Sequence, residues 1–180
     1  MAVELYLSEN AFIGLLVSTI EVYRRECYGI LLGHSTPDRV FVDFAVPYQT
    51  ANRKFREVHI DWKRSARVEE AVRGSTRWEL VGDFHSHAMY GPVRASTQLS
   101  REDEENFADN SVAMVVAIND IQRPKRWAYR PGGVIAGAIN GYSIQIAAYA
   151  KKSSQIDKAP IICPYAVGFM GRRRPLPRAG

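Results

Sequence analysis

Residues 82–103 read GDFHSHAMYGPVRASTQLSRED. His85 and His87 are two apart, so in an extended segment they point to the same face, together with Asp83, while Phe84 and Ser86 face the other way. Two neutral imidazoles on one side form half of a tetrahedral zinc site. The third ligand must come from another element, and the acids Glu102, Asp103, Glu104 and Glu105 follow closely. A fourth position left to water would make such a site hydrolytic. An H-x-H pair alone is also compatible with no metal at all. Ser100 and Asp103 in turn read as a helix N-cap with an acid three residues on, close to a capping box. The two readings coexist, because side chains three apart at a helix start point to one side and can meet the histidines.

A second stretch, ECYGILLG over residues 26–33, sets Glu26 at the head of an apolar strand bounded by Gly29 and Gly33. Burial of a carboxylate without a partner is costly, so Glu26 either caps the strand end, exposed and paired with Arg24 or Arg25, or serves as a base beside a metal-bound water.

The elements that must position these residues follow from periodicity. VELYLS opens as a strand; Ser8 caps a helix over 9–25, with Phe12, Leu15, Leu16, Ile20 and Tyr23 on its apolar face. CYGILLGH and VFVDFAVPY read as antiparallel strands joined by a turn at TPDR. DWKRSARVEEAVRG is a helix ending at Gly74, WELVGDFHS a strand, LSREDEENFADN a helix, and SVAMVVAIN and RWAYRP strands. Asn140-Gly141 marks a hairpin inside VIAGAINGYSIQIAAYA. Together these predict one mixed α+β domain without internal repeats.

Composition narrows the class. The chain has 180 residues, 46% apolar and 24% charged, which fits a globular protein with a real core. No apolar run approaches a membrane helix; AFIGLLV is short and preceded by Glu4 and Glu9, where a signal peptide would be basic. Two cysteines, Cys27 and Cys163, predict a reducing, cytoplasmic setting without a disulfide framework. The net charge is +5, but GRRRPLPRAG at the end holds four arginines and no acid, so residues 1–170 carry only +1. A disordered tail is expected there, and nucleic-acid binding is not. His34 is expected in a turn and His59 at the surface or in the core, neither as a ligand.

Taken together, Glu26-Cys-Tyr-Gly29-Ile-Leu-Leu-Gly33, His85-Ser-His87 and Ser100-Arg-Glu-Asp103, in that order, resemble the JAMM (MPN-plus) metalloproteases, in a prokaryotic-type stand-alone form covering about residues 3–150. The resemblance implies an α+β fold with a mixed β-sheet flanked by helices, similar to cytidine deaminases. It assigns residues 1–150 to the metalloprotease domain and 151–180 to a C-terminal extension. It implies a Zn²⁺ held by His85, His87 and Asp103. Glu26 would exchange a proton with the attacking water and Ser100 would donate to the developing oxyanion, with Asp83 orienting a histidine or simply exposed to solvent. The implied partner is a ubiquitin-like or sulfur-carrier protein, cut after its C-terminal Gly-Gly. Two departures stand out: Ala88 replaces the family's Pro, and twelve residues rather than seven separate His87 from Ser100, so 88–99 is expected to hold an extra loop that selects substrate. Ser96 lies nearer the usual spacing, but Leu99, three residues on, cannot ligate.

Other readings are a metal-free scaffold of the same fold and a RadC-like DNA-associated protein, which shares H-x-H…S-x-x-D. An unrelated metal hydrolase is disfavoured, because an amidohydrolase barrel needs about 250 residues and a two-metal phosphoesterase needs further ligand clusters.

Overall fold

The computed structural model describes residues 3–48, 52, 53, 58, 59, 62–120 and 125–168. Strands β1 (Glu4–Leu7), β2 (Tyr28–Ser35), β3 (Arg39–Pro47), β6 (Glu79–Ala88), β7 (Ser111–Asp120), β8 (Ala128–Arg130), β9 (Val134–Ile139), β10 (Tyr142–Lys152), β11 (Gln155–Ala159) and β12 (Ile161–Ile162) form a ten-stranded mixed sheet. Its order is β12-β1-β3-β2-β6-β7-β10-β9-β8, with β11 also on β10. The pairs β12–β1, β1–β3 and β6–β7 are parallel and the rest antiparallel. Strands β4 (Asn52–Arg53) and β5 (Val58–His59) form a separate small ladder. The expected mixed sheet flanked by helices is what the chain forms. Among the described residues no helix is long and apolar enough to cross a membrane.

Helix α1 (Glu9–Glu21) starts at Ser8, whose hydroxyl accepts from Ala11 N–H at 3.1 Å and donates to the Asp43 carbonyl at 2.7 Å. That second bond ties the cap to β3, on which α1 packs, burying Phe12, Leu15 and Leu16. The helix stops four residues short of the expected Arg25. Arg24 adopts a left-handed φ of 77°, and the chain turns through Tyr23 and Arg25 N–H bonds to Ile20 and Val22. Helices α2 (Trp62–Ser75), α3 (Arg101–Asn106) and α4 (Pro164–Gly168) complete the fold.

The sheet buries side chains on both faces, so β7 is apolar almost throughout. On the α1 face Val112, Met114, Val116 and Ile118 join the main cluster with Phe12, Leu31 and Phe84. On the other face Ala113 and Val115 pack with Phe107, Val134, Ala147 and Tyr149.

Beyond residue 150 the described chain continues through the end of β10, then β11, β12 and α4. β10 runs through residue 150, β11 folds back on it, β12 lies parallel to β1, and Ala159, Ile161, Cys163 and Ala166 are in the main core. The expectation of a disordered basic tail falls on residues outside those described. His34 is not in a turn: it ends β2, stacks on Phe41 at 4.6 Å and lies 3.5 Å from Asp43. His59 sits in β5.

Gly29 shows how tightly β2 and β6 are fitted. It pairs with Phe84, and a Cβ there would lie 2.4 Å from both the Phe84 ring and the Val46 carbonyl. Phe84 is fully buried and immediately precedes His85. Gly29→Ala is expected to lower stability by about 1–3 kcal/mol, read as a lower urea midpoint with an unchanged denaturant slope; an unchanged midpoint would mean that Phe84 is not held in this way.

Candidate metal centre

β6 is an interior strand, antiparallel to β2 and parallel to β7. Its register sets His85 beside Val115 and His87 beside Ala117, while Phe84 and Ser86 lie beside Met114 and Val116. The imidazoles therefore project on the face opposite α1, as alternation predicts. Their Nε2 atoms are 3.2 Å apart. Two bare lone pairs at that distance repel, so a proton or a cation must lie between them.

The third member arrives on α3, a six-residue helix with no buried residue of its own. Its flanks hold it in place: Leu99 and Phe107 pack into the core cluster on the histidine face, and Lys151 Nζ donates to the Phe107 carbonyl at 2.7 Å, a cation at the helix C-terminus. At the other end Ser100 and Asp103 form a full capping box. Asp103 N–H donates to Ser100 Oγ at 3.1 Å, and Ser100 N–H donates to Asp103 Oδ2 at 2.6 Å. That bond fixes the carboxylate so that Oδ1 lies 3.4 Å from His85 Nε2, with Oδ2 3.7 Å from His87 Nε2.

The donor set fits a divalent metal. Tetrahedral zinc with bonds near 2.05 Å separates its ligand atoms by about 3.3 Å; His85 Nε2 lies 3.2 Å from His87 Nε2 and 3.4 Å from Asp103 Oδ1, while the 3.7 Å contact to His87 Nε2 is made by the other oxygen, Oδ2. Both contacts to Asp103 are long for direct N–H···O bonds. Among the described residues His85, His87 and Asp103 are the one group of this kind, with ligand atoms all within 4.8 Å of one another. Although burial opposes ionisation of Asp103, its closeness to both imidazoles and the hydrogen bond from the Ser100 N–H hold its pKa well below the usual carboxylate range. Burial would lower the His87 pKa, but the nearby Asp103 carboxylate, the bond to the Ser96 carbonyl and the field of Glu26 raise it instead.

Glu26 is half-buried in the turn before β2. Burial raises its pKa, His87 and His85 oppose that shift, and Asp103 and Glu102 add to it. Its charge is thus felt by every member of the cluster. The residue that delivers it is Ser86, a contact the sequence reading missed. Cys27 N–H donates to Ser86 Oγ at 2.9 Å, and Ser86 N–H donates to the Cys27 carbonyl at 3.0 Å, both buried. The middle residue of H-S-H thus pins the neighbour of Glu26 from the opposite face of the strand. No local pattern signals this bond; only the pairing of β2 with β6 creates it.

Asp83 shares the histidine face but is not a free surface acid. It hydrogen-bonds the Tyr28 phenol, and burial lifts its pKa to about 6 despite the opposing influence of His85 and Tyr28. Tyr28 pairs with His85 across β2–β6, so Asp83 and Tyr28 together border the His85 side of the cluster. Ser100 is exposed, accepts from Asp103 N–H, and its own proton has no acceptor among the described residues.

The expected loop between β6 and α3 is held against the sheet. Tyr90 and Val93 exchange backbone bonds around Gly91 (φ 53°) and expose their side chains at the tip, while Ala95–Thr97 lie close to His87.

A model of prokaryotic homologs of the JAB domain matches residues 12–130, two thirds of the chain. No curated protein matches it. Among solved structures, the solution structure of protein DSY2949 from Desulfitobacterium hafniense aligns with a TM-score of 0.63 at 16% identity, covering 94% of this chain and 99% of that one. At that identity the likeness concerns the fold.

Ser86→Ala should leave the buried Cys27 N–H without its acceptor and cost about 1–3 kcal/mol, measured by denaturant unfolding. His87→Ala and Asp103→Ala should each abolish stoichiometric zinc uptake, measured by metal analysis after dialysis. Full uptake by both variants would show that zinc binds elsewhere.

Proposed function

The chain belongs to the family of prokaryotic JAB-domain homologs, and from that membership we propose that it is a zinc-dependent peptidase or isopeptidase. Its substrate is a ubiquitin-like or sulfur-carrier protein, cut after the C-terminal Gly-Gly. The observation that carries the reading is the placement of a half-buried carboxylate beside the strand of the His85–His87–Asp103 group: the two Cys27–Ser86 hydrogen bonds fasten the residue after Glu26 to the residue between the histidines. A group that only bound metal would need no base beside it.

His85, His87 and Asp103 are the residues that would hold the zinc; when bound, it supplies Lewis acidity, lowering the pKa of water and polarising a carbonyl. Glu26 does the proton work. Its raised pKa brings it nearer the working range in which a carboxylate both takes a proton from the attacking water and returns it to the leaving amine. Ser100 Oγ, with its proton unclaimed, donates to the oxyanion of the tetrahedral species. The capping box keeps Ser100 and Asp103 in fixed relation, so donor and ligand arrive together.

A diglycine tail suits such a site because an extended Gly-Gly segment lies close to a sheet edge where side chains would clash. The exposed tip at Tyr90 and Val93 is the surface we assign to substrate selection.

Glu26→Gln keeps the shape of the side chain and removes the base. The variant should retain one zinc per chain and lose turnover by about 10²–10⁴-fold on a ubiquitin-like fusion with a Gly-Gly junction, followed by gel and mass spectrometry. A variant that cleaves at the wild-type rate would remove Glu26 from the mechanism. Zinc-loaded wild type that leaves Gly-Gly junctions intact would count against the substrate class.

A further inference from the structure

We propose that Asn119 and Tyr149 are positioning residues for His87: from β7 and β10 they clamp the inserted loop so that the Ser96 carbonyl fixes the imidazole tautomer. The inference rests on the zinc reading for its consequence, but its geometry stands independently.

Asn119 is 3% exposed near the end of β7, where an apolar side chain would serve the sheet equally well. A buried amide is costly unless both of its ends are bonded. Both ends are used on one residue of the loop: Ala95 N–H donates to Asn119 Oδ1 at 2.8 Å, and Asn119 Nδ2 donates to the Ala95 carbonyl at 3.1 Å. Two residues further on, the Tyr149 hydroxyl donates to the Thr97 carbonyl at 2.7 Å, and both residues are buried. Between these anchors lies Ser96, whose carbonyl is 2.8 Å from His87 Nδ1.

A carbonyl oxygen can only accept, so Nδ1 must carry the proton. Neutral His87 then has its lone pair on Nε2, the atom that faces His85 and Asp103. A partner on the outer nitrogen sets both the tautomer and the ring plane of a ligating histidine. Here that partner is a backbone oxygen in the loop between β6 and α3, and a free loop would not hold it still. The loop therefore does two jobs: its tip projects while its base is built into the site.

The test uses full-length protein labelled with ¹⁵N-histidine, metal-free and at alkaline pH, so that the ¹⁵N shifts report the tautomer of His87. Wild-type His87 is expected as the Nδ1–H tautomer. Asn119→Ala should give a mixture of tautomers, and Tyr149→Phe, which removes only the hydroxyl, a smaller shift in the same direction. Zinc titration should then show affinity reduced about ten- to a hundredfold in Asn119→Ala. A purely structural role would lower stability and leave the tautomer alone, so wild-type His87 signals in folded variants would overturn the clamp, as would weakened zinc binding without a tautomer change. If Asn119→Ala does not fold, Tyr149→Phe decides on the same signal. A wild type showing the tautomer and its loss on mutation, yet binding no zinc, would support the clamp and sink the metal reading.

Discussion

Everything at the centre depends on holding two imidazole nitrogens 3.2 Å apart with a carboxylate beside them. That arrangement is electrostatically poor without a cation or protons, so the fold must impose it. It does so with an interior strand. β6 is hydrogen-bonded on both sides, and its two inward residues, Phe84 and Ser86, are completely buried. Burying a Phe side chain contributes about 1.5–3 kcal/mol, and Gly29 is the concession that lets the Phe84 ring fit. The histidines cannot move to the other face of the sheet without unpairing the strand.

Alternation along β6 divides the labour between the two faces of the sheet. Phe84 joins the α1-side core, while Ser86 binds Cys27 and so places the turn that carries Glu26. The opposite face meets α3, whose flanking residues Leu99 and Phe107 pack against the sheet. Three chain segments distant in sequence thus converge because each is fastened next to its functional residue: Glu26 through Cys27, the histidines through Ser86 and Phe84, and Asp103 through Ser100.

What the sequence made legible was local. The H-x-H alternation, the S-x-x-D cap and the apolar periodicity of β7 are written within ten residues each, and each forms as read. What escaped was non-local. The parallel pairing of β12 with β1 brings together residues more than 150 positions apart, so nothing near residue 161 announces that the chain is returning to its first strand. The end of α1 was misread for a related reason. Tyr23 keeps the apolar spacing going, but it is apolar on behalf of Tyr142, which its ring meets at 4.6 Å, and its hydroxyl donates to Asp120 at 2.6 Å. Burial and Asp120 raise that phenol's pKa to about 12, so it remains a donor at neutral pH. A residue committed to a distant strand imitates a helix position. The Ser86–Cys27 bond and the Ala95–Asn119 clamp are hidden for the same reason: Ser and Asn carry no sign of which distant backbone they will meet.

Asp103 shows why the local reading as a cap and the functional reading as a ligand need not compete. A carboxylate has two oxygens, and the cap uses Oδ2 at 2.6 Å while Oδ1 lies toward His85. The bond from the Ser100 N–H also lowers the carboxyl's pKa, keeping it ionised and able to ligate across the physiological range. A six-residue helix gains little from its own hydrogen bonds, so its cap contributes unusually much to whether it forms at all. The same contact that starts the helix therefore orients the ligand. Neither function can drift without the other, and this makes a very short helix a dependable support for a metal ligand.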